Sequence, residues 1–360
     1  MFALLKIKIY NRKCVYPVKT RGEKYMKKLL CTALALAMAL SMAACSGGST
    51  EEAKTTTDTT ASETLNVGVI QYMQHASLDE AYEGFVDGLE EAGYVEGETL
   101  KVNYQNASGE VSNCQQISEL FANSDTDLVL AIATPAAQSA VNVLQDTDIP
   151  VFFTAVTDAV GAGLVDSNEA PGKNVTGTLD MPVIADQIAV IKDVLPEAKT
   201  VAILYTSSEA NSEIQAEEAK TAAEALGMDV IVQTSSSSND IPQVISSVVG
   251  SADAIYIPSD NAFASAMATV NSAAVENQIP VFCAVEAMIA EGGIATTAID
   301  YYELGKQTAA QAVRVLNGES ASAVAVETQK ECALVVNETF AASVGVTIPA
   351  EMLEKAAVKY

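Results

Sequence analysis

The sequence predicts an α/β protein with two lobes, each an open parallel sheet with helices on both faces. Short apolar runs alternate with amphipathic stretches from residue 64 onward, which is the pattern of repeated strand–helix–strand units. The pattern runs through two successive rounds. A stretch of about 300 residues also exceeds what a single hydrophobic core usually organises, so two lobes are predicted rather than one.

The first round contains five predicted strands: 65–71, 100–105, 128–133, 151–156 and 174–178. Helical patterns lie between the first four. The first helix has Ser77 as its expected N-cap and Gly93 as its expected stop. Its apolar face is formed by Leu78, Ala81, Tyr82, Phe85, Val86 and Leu89. A strand, a helix and another strand in repeated order indicate a parallel sheet covered by helices.

The second round repeats this order without obvious sequence identity to the first. Its predicted strands are 200–205, 229–234, 254–258, 280–285 and 292–299. Its predicted helices are 184–195, 209–226, 241–249 and 261–276, with one more after the last strand.

The N-terminal region has the features of a secretory signal. Lys27 and Lys28 precede an uncharged apolar run, 29–44, which meets Cys45 and then a polar stretch. The run is too short for a membrane span, and residues 42–45 (MAAC) resemble a bacterial lipobox with Met in place of the usual Leu. Cys45 is therefore the expected lipidation site; alternatively, this is an ordinary signal with an incidental cysteine. Translation is expected to start at Met26, so that residues 1–25 are an extension.

Residues 46–63 are polar, low in complexity and poor in apolar side chains, which predicts a disordered tether. After removal of residues 1–45, 11 basic and 45 acidic residues remain, for a net charge near −34. Such a chain repels phosphate backbones, so nucleic acid is excluded as a partner. Three cysteines remain besides Cys45, namely Cys114, Cys283 and Cys332, and they form no zinc motif. Buried free thiols are expected, with a Cys283–Cys332 bridge as the alternative.

The inventory of catalytic groups argues against an enzyme. The chain has a single histidine, His75, so a zinc site built on a pair of histidines is impossible, and no metal or cofactor is expected. No nucleophile elbow, phosphate-binding loop or dinucleotide fingerprint is present. GAGLVD at 161–166 lacks both the third glycine and a preceding strand.

Ligands of open parallel sheets bind beyond the carboxyl ends of the strands, and here those ends are rich in hydroxyls, amides and carboxylates. The candidate binding residues are Gln71, His75, Thr134, Ala136, Ala155, Thr157, Asp158, Ser207, Glu209, Asp260, Asn261 and Glu286. Lys and Arg are scarce at these ends. The sequence thus predicts a hydrogen-bonding site for a small polar molecule, with acidic groups that could hold a cation.

Seven strings together carry a resemblance to a known family: IATPAAQSA, FTAVTDAVGAGLV, NVTGT.D, LYTSSEANS, DAIYIPSDNAFASAM, IPVF and GIATTAIDYYELGKQTA. With the lipobox-like start, they resemble substrate-binding lipoproteins of ABC transporters of the tryptophan/tyrosine uptake type. The likeness runs from about Leu65 to Pro349. It implies the type I periplasmic-binding fold, in which two lobes joined by three crossovers close on a ligand.

The resemblance also implies the domain boundaries. The crossovers are expected near 177–182, 298–301 and 325–328. Lobe 1 then takes 64–179 and 300–325, and lobe 2 takes 180–299 and 326–360. Residues 331–337 are expected to form a late strand of lobe 2.

The function implied is that of a monomeric receptor, lipid-anchored on the outer face of the cell membrane. It would pass a free amino acid, expected to be aromatic, to a permease and its ATPase. Two alternatives stay open. The chain could signal its closed state to a membrane sensor, or its ligand could be a branched-chain amino acid or another small carboxylate.

In related amino-acid-binding proteins of this fold, the ligand carboxylate lies against two strand-to-helix corners. Here these would be Thr134 to Ala137 and residues 155–157, with the hydroxyls of Thr134 and Thr157 as donors. Glu209 and Asn211, after the strand predicted at 200–205, would face the cleft from lobe 2 and close over the ligand. Thr134 could instead simply cap its helix. For the ammonium group the first choice of acceptor is Asp300, with Glu286, Asp158 and Asp260 as alternatives. Candidate contacts for the ligand side chain are Tyr72, Met73, Tyr205, Phe263 and Tyr301.

Overall fold

The computed structural model describes residues 64–329 and 331–360. Four of the sequence predictions lie outside these residues: the start at Met26, the signal peptide, lipidation of Cys45 and the tether of residues 46–63. Within the described part, no helix combines the length and the hydropathy that crossing a bilayer requires.

Lobe 1 is built on a parallel sheet of six strands: β1 (Leu65–Gln71), β2 (Leu100–Asn106), β3 (Leu128–Ile132), β4 (Val151–Val156), β5 (Val175–Leu179) and β11 (Glu327–Thr328). Their spatial order is β11-β5-β4-β3-β1-β2. Its helices are α1 (Ala76–Glu91), α2 (Val111–Ala122), α3 (Thr134–Leu144) and α10 (Tyr301–Leu316). Helix α1 packs against α10 and α2 packs against α3. Every residue of β3 is buried, as expected for a strand covered on both faces.

Lobe 2 contains a parallel sheet of four strands: β6 (Thr200–Thr206), β7 (Asp229–Ser235), β8 (Ala254–Ile257) and β9 (Val281–Cys283). Their order is β7-β6-β8-β9. Its helices are α4 (Ile184–Val194), α5 (Ala210–Ala225), α6 (Ile241–Val248), α7 (Asn261–Ser265), α8 (Met267–Asn277) and α9 (Glu286–Gly292). The helix predicted over 261–276 is thus two helices, separated at Ala266.

A third sheet extends lobe 2. It consists of β10 (Ala295–Ala298), β12 (Ala333–Val336) and β13 (Val358–Lys359). Strands β10 and β12 are antiparallel, so lobe 2 is not parallel throughout. Helices α11 (Glu338–Ser343) and α12 (Ala350–Lys355) follow, and single-turn 3₁₀ helices span Ser238–Asp240 and Ala321–Ala323.

The chain passes between the lobes after β5, after β10 and after β11. The third passage differs slightly from the sequence prediction, because Glu327 pairs with Thr178 and Thr328 with Leu179 in the sheet of lobe 1. These two residues therefore belong with lobe 1, although residues from 326 onward were expected in lobe 2. So short a strand carries no apolar pattern of its own, and only its pairing partner identifies it.

Two glycines allow α1 and α10 to approach each other closely. A Cβ atom on Gly84 would collide with the main-chain carbonyl of Tyr302, and one on Gly305 would collide with the carbonyl of Ala81. The two helix backbones are therefore in direct contact. This contact sets the position of Tyr301, the first residue of α10, at the boundary between the lobes.

In both sheets the chain order reverses next to the first strand, since β1 lies between β2 and β3 and β6 lies between β7 and β8. Such a reversal leaves a crevice beyond the carboxyl ends of the strands, because the helices on either side of it cover opposite faces of the sheet. The crevices of the two lobes form the walls of one cleft.

Candidate functional site

A cleft between the lobes collects residues that end or follow six strands (β1, β4, β5, β6, β8 and β9), together with the start of α10. It is lined by His75, Ser77, Leu78, Ala155, Thr157, Asp180, Asn211, Ser259, Asp260, Asn261, Ala264, Val285 and Tyr301. The cleft is narrow in this conformation, with about 330 Å³ of empty space including its mouth. No Lys or Arg is among the lining residues, so its polar surface is made of hydroxyls, amides, carboxylates and one imidazole.

Two strand ends of lobe 1 hold alanines with a positive φ angle, which is unfavourable for residues other than glycine. Ala133, after β3, has φ 81° and ψ 153°, and Ala155, within β4, has φ 55°. The register between β4 and β5 also shifts at this point. Such conformations cost about 1–3 kcal/mol each and cluster at ligand-binding sites. The strain therefore marks the same two corners that the sequence singled out.

The boundary between the lobes contains a fully buried carboxylate, Asp180, just after β5. Tyr301 donates a hydrogen bond of 2.7 Å to its Oδ2 atom, and Thr157 donates one of 3.4 Å to Oδ1. Burial raises the pKa of Asp180, and these hydrogen bonds offset part of the rise. Among the described residues no Lys or Arg forms an ion pair with it. Asp180 is thus a buried acid that lacks a cation.

Hydrogen bonds cross the cleft from lobe 1 to lobe 2. His75 Nε2 lies 3.1 Å from Oδ1 of Asn261, and Gln215 donates through Nε2 to the hydroxyl of Thr157 at 3.1 Å. The amide nitrogen of Asn261 is occupied by a 2.6 Å bond to Glu209, so its oxygen faces the imidazole and must accept. His75 therefore carries its proton on Nε2. Burial lowers the pKa of this ring, which favours the neutral form.

Two buried acids organise the lobe 2 wall. Glu209 accepts hydrogen bonds from the main-chain N–H groups of Asn261 and Ala262, both at 3.0 Å. Asp260 accepts from the N–H and the hydroxyl of Thr206 and from the N–H of Phe263. Burial and the neighbouring Asp260 raise the pKa of Glu209. The oxygens of both acids are directed at lobe 2 itself, so these acids position the wall.

Several buried polar atoms around the cleft have no partner. They are Oγ of Ser77, Nδ1 of His75 and Oδ1 of Asn211, all on lining residues, together with Oε1 of Gln71 behind them. Most buried polar atoms in proteins are hydrogen-bonded, so a group of unsatisfied ones at one cleft indicates places for a ligand or for water.

Of the residues that the sequence singled out, seven line the cleft: His75, Ala155, Thr157, Asn211, Asp260, Asn261 and Tyr301. Gln71 and Glu209 are buried directly behind it. Thr134, Ala136 and Ala137 are buried at the start of α3 and are absent from the lining.

The remaining candidates lie outside the cleft lining. Asp300, the first choice for the ammonium group, is exposed and caps α10 by accepting from the N–H of Glu303. Asp158 accepts from the N–H groups of the turn that follows it. Ser207 donates to the carbonyl of Ser235, and Glu286 accepts from the hydroxyl of Tyr360. These side chains serve local turns, caps or contacts instead of the cleft.

The structure also adds lining residues that sequence reasoning missed: Ser77, Leu78, Asp180, Ser259, Ala264 and Val285. A signal for Asp180 was present, because it is the first acidic residue after the strand predicted at 174–178. Ser77 was assigned as an N-cap. Helix α1 instead begins at Ala76 with His75 as its cap, which turns the Ser77 hydroxyl toward the cleft.

Residues 64–329 and 331–360 contain no group of three His, Cys, Asp or Glu side chains that could hold a metal ion. The three cysteines in these ranges are free, with Cys114 and Cys283 buried. Cys332 is exposed, whereas a buried thiol was expected.

Two α/β lobes joined by three passages, with a polar cleft between them, define a binding protein of the type I periplasmic-binding fold. The family model described as "ABC transporter substrate binding protein" matches residues 66–359. The chain belongs to this family, and it is therefore the extracytoplasmic substrate-binding component of an ABC transporter rather than an enzyme.

Relatives agree with this assignment. The chain is 39% identical over 273 residues to a tyrosine-binding protein of Clostridioides difficile, which covers 76% of this chain and 79% of that protein. Its fold is similar to that of a Streptococcus pneumoniae ABC domain in complex with L-Trp, with a TM-score of 0.79, 36% identity and coverage of 83% and 100%. The fold is also similar to the ligand-free, open structure of a Clostridium difficile substrate-binding protein with adhesive properties. The TM-score is 0.63 and the identity is 38%, over 82% of this chain and 98% of that chain.

Proposed function

We propose that this protein is a monomeric, lipid-anchored receptor that binds one free aromatic amino acid in the cleft and delivers it to an ABC permease. The observation that carries the proposal is Asp180. It is a fully buried acid in the cleft lining, and no Lys or Arg of the described residues forms an ion pair with it. The ammonium group of an amino acid would supply the missing charge, and a charge-assisted hydrogen bond of this kind contributes about 1.5–3 kcal/mol.

The surroundings of Asp180 suit this role. Tyr301 and Thr157 each donate to one of its two oxygens, which holds the carboxylate in a single orientation. Both donors are themselves cleft-lining residues, so an ammonium group bound to Asp180 would lie among hydroxyl oxygens that also accept hydrogen bonds.

An aromatic side chain is favoured by two considerations. The similar proteins include one named for tyrosine binding and one in complex with L-Trp. The cleft also offers apolar surface from Leu78, Ala264 and Val285 and the ring of Tyr301. The unpartnered Nδ1 of His75 could accept a hydrogen bond from a phenol or an indole N–H.

Binding is expected to close the lobes. The chain resembles the L-Trp complex more than the open, ligand-free structure, although the two sequence identities are nearly equal. The His75–Asn261 and Gln215–Thr157 hydrogen bonds join the lobes and need the closed arrangement. A ligand that touches both walls would favour this state over the open one.

The test of ligand identity is calorimetry with the purified protein and the twenty amino acids, together with mass spectrometry of any small molecule that co-purifies. One molecule of tyrosine, tryptophan or phenylalanine per chain is expected. Tight binding of only a sugar or a non-aromatic compound would contradict the proposal. For the anchor, Cys45→Ala should release the protein from the detergent phase into the aqueous phase; unchanged partitioning would rule out lipidation at Cys45.

A further inference from the structure

Helix α1 begins at the cleft with N–H groups that are still available. Its first turn contains Ala76 and Ser77, whose N–H groups have no hydrogen-bond partner among the described residues. The N–H groups of Leu78 and Asp79, in contrast, both bond to the carbonyl of His75 at 3.1 Å. The capping residue, His75, contributes no side-chain bond to the helix. Free N–H groups at the start of a 16-residue helix favour an anion.

Ser77 gives a second, independent indication. Its side chain is 1% exposed and lines the cleft, yet its Oγ atom has no hydrogen-bond partner. Leaving a buried hydroxyl unsatisfied is unfavourable, and most such groups in proteins find a partner. A hydroxyl next to free helix N–H groups can donate in the same direction as they do. The three donors together form a site for a carboxylate.

We propose that the α-carboxylate of the ligand binds at the start of α1, to the Ser77 hydroxyl and the free N–H groups of Ala76 and Ser77. This inference rests on the proposed function, since it takes the ligand to be an amino acid. The ligand then has a defined direction in the cleft: the ammonium group faces Asp180 at the lobe boundary, and the carboxylate faces α1. The ligand side chain is left to face the remaining lining residues of the cleft.

The negative charge of Asp79 in the first turn of α1 bears on how a ligand carboxylate would be held there. It favours direct hydrogen bonds over the helix dipole as the main source of affinity. Asp79 lies in this turn, and its carboxylate accepts a 2.7 Å bond from Gln71. Its negative charge offsets part of the helix dipole, and no Lys or Arg is among the residues that line the cleft. The carboxylate must therefore be held by the hydroxyl and N–H donors themselves.

The alternative binding site for the ligand carboxylate is the strand-to-helix corner at Thr134, which the sequence favours. Thr134 also starts a helix, but it is not among the lining residues of the cleft in this conformation. The two possible binding sites lead to different predictions for two conservative substitutions, Ser77→Ala and Thr134→Val. Each removes one hydroxyl with little change in volume.

The experiment measures binding of L-tyrosine and L-tryptophan, and of their carboxamides, to the wild type and to both variants by calorimetry. Ser77→Ala should weaken binding of the acids about ten- to a hundredfold, because a hydrogen bond to a charged group is lost. It should leave binding of the carboxamides nearly unchanged, so the preference of the wild type for acid over carboxamide should shrink. Thr134→Val should bind all four compounds like the wild type. Thermal melting confirms that the variants are folded.

The outcomes separate the two proposals. If the wild type binds none of L-tyrosine, L-tryptophan and L-phenylalanine, the proposed aromatic ligand is wrong, and the proposed carboxylate site fails with it. If the wild type binds these amino acids and the affinity of Ser77→Ala stays within twofold of it, the proposed function stands. The carboxylate site at α1 is then refuted. A loss in Thr134→Val alone would move the carboxylate to the corner at α3. Equal losses for acids and carboxamides in Ser77→Ala would also overturn the inference, because the hydroxyl would then not contact the carboxylate.

Discussion

The hydroxyl of Tyr301 donates a 2.7 Å hydrogen bond to Asp180, and this bond joins two of the three passages between the lobes. Asp180 follows β5 at the first passage, and Tyr301 starts α10 just after the second. Both residues are buried and both line the cleft. The link therefore couples the hinge of the protein to its binding site, and substitutions here should affect both properties.

The first prediction concerns the ammonium group. Asp180→Asn keeps the shape of the side chain but removes its charge, so affinity for the amino acid should fall about ten- to a hundredfold. The matched control is Asp300→Asn, which alters an exposed helix cap at the same boundary and should leave affinity unchanged. Calorimetry on both variants decides between the two acids. A loss of affinity in Asp300→Asn with Asp180→Asn unaffected would restore the acceptor that the sequence favoured.

The second prediction concerns stability of the ligand-free protein against pH. The folded pKa of Asp180 is raised by burial, so the folded state holds this proton more tightly than the unfolded chain does. Burial of the ionised Asp180 therefore lowers the free energy of unfolding. This loss of stability is absent below the unfolded pKa of about 3.9 and grows as the pH rises toward the folded pKa. Asp180→Asn should therefore melt at a higher temperature than the wild type at pH 8, and the difference should vanish in acid.

For this second prediction, Asp300→Asn again serves as the control, because Asn and Asp are equally good N-caps. Its melting temperature should follow that of the wild type at each pH. If the difference in melting temperature between Asp180→Asn and the wild type were the same from pH 4 to pH 8, burial of the ionised Asp180 would not destabilise the folded protein.

The third prediction concerns closure. His75→Phe removes the hydrogen bond from lobe 1 to Asn261 while keeping an aromatic ring. Affinity should fall about two- to tenfold, since a typical hydrogen bond contributes about 0.5–1.5 kcal/mol and this one forms only when the lobes close. Tyr302→Phe is the control, because it removes a 2.9 Å bond to Asp87 that lies within lobe 1. Equal affinities for His75→Phe and the wild type would mean that the bond across the cleft does not stabilise the closed state.

The fourth prediction concerns the contact between α1 and α10. Gly84→Ala places a methyl group against the main-chain carbonyl of Tyr302, so the helices must separate. Overpacking of this kind costs about 1–3 kcal/mol and should lower the melting temperature. Glu83→Ala, at the neighbouring exposed position, should change the stability by less than about 0.5 kcal/mol. A Gly84→Ala variant as stable as Glu83→Ala would show that the two backbones can move apart without cost.

The strands were largely predictable from the sequence, because buried parallel strands are short apolar runs with distinct ends. The run TVAILY was predicted over 200–205 and forms Thr200–Thr206, and LNVGVIQ forms Leu65–Gln71 as predicted. The two-residue strands Glu327–Thr328 and Val358–Lys359 could not be recognised in this way. Their residues have no periodicity, and they become strands only by pairing with neighbours already in place.

The class of the protein could be predicted from local sequence patterns. Its alternating apolar runs, its single histidine and its polar strand ends already indicated a two-lobed binding protein with its ligand site at the carboxyl ends of the strands. Which polar groups face that site depends on how the elements pack together. Asp180 and Asp300 both follow strands near a passage between the lobes, and local sequence does not separate them. The close packing of α1 on α10 places Tyr301 over Asp180 and leaves Asp300 in solvent, so burial and hydrogen bonding, which depend on distant residues, distinguish the two acids.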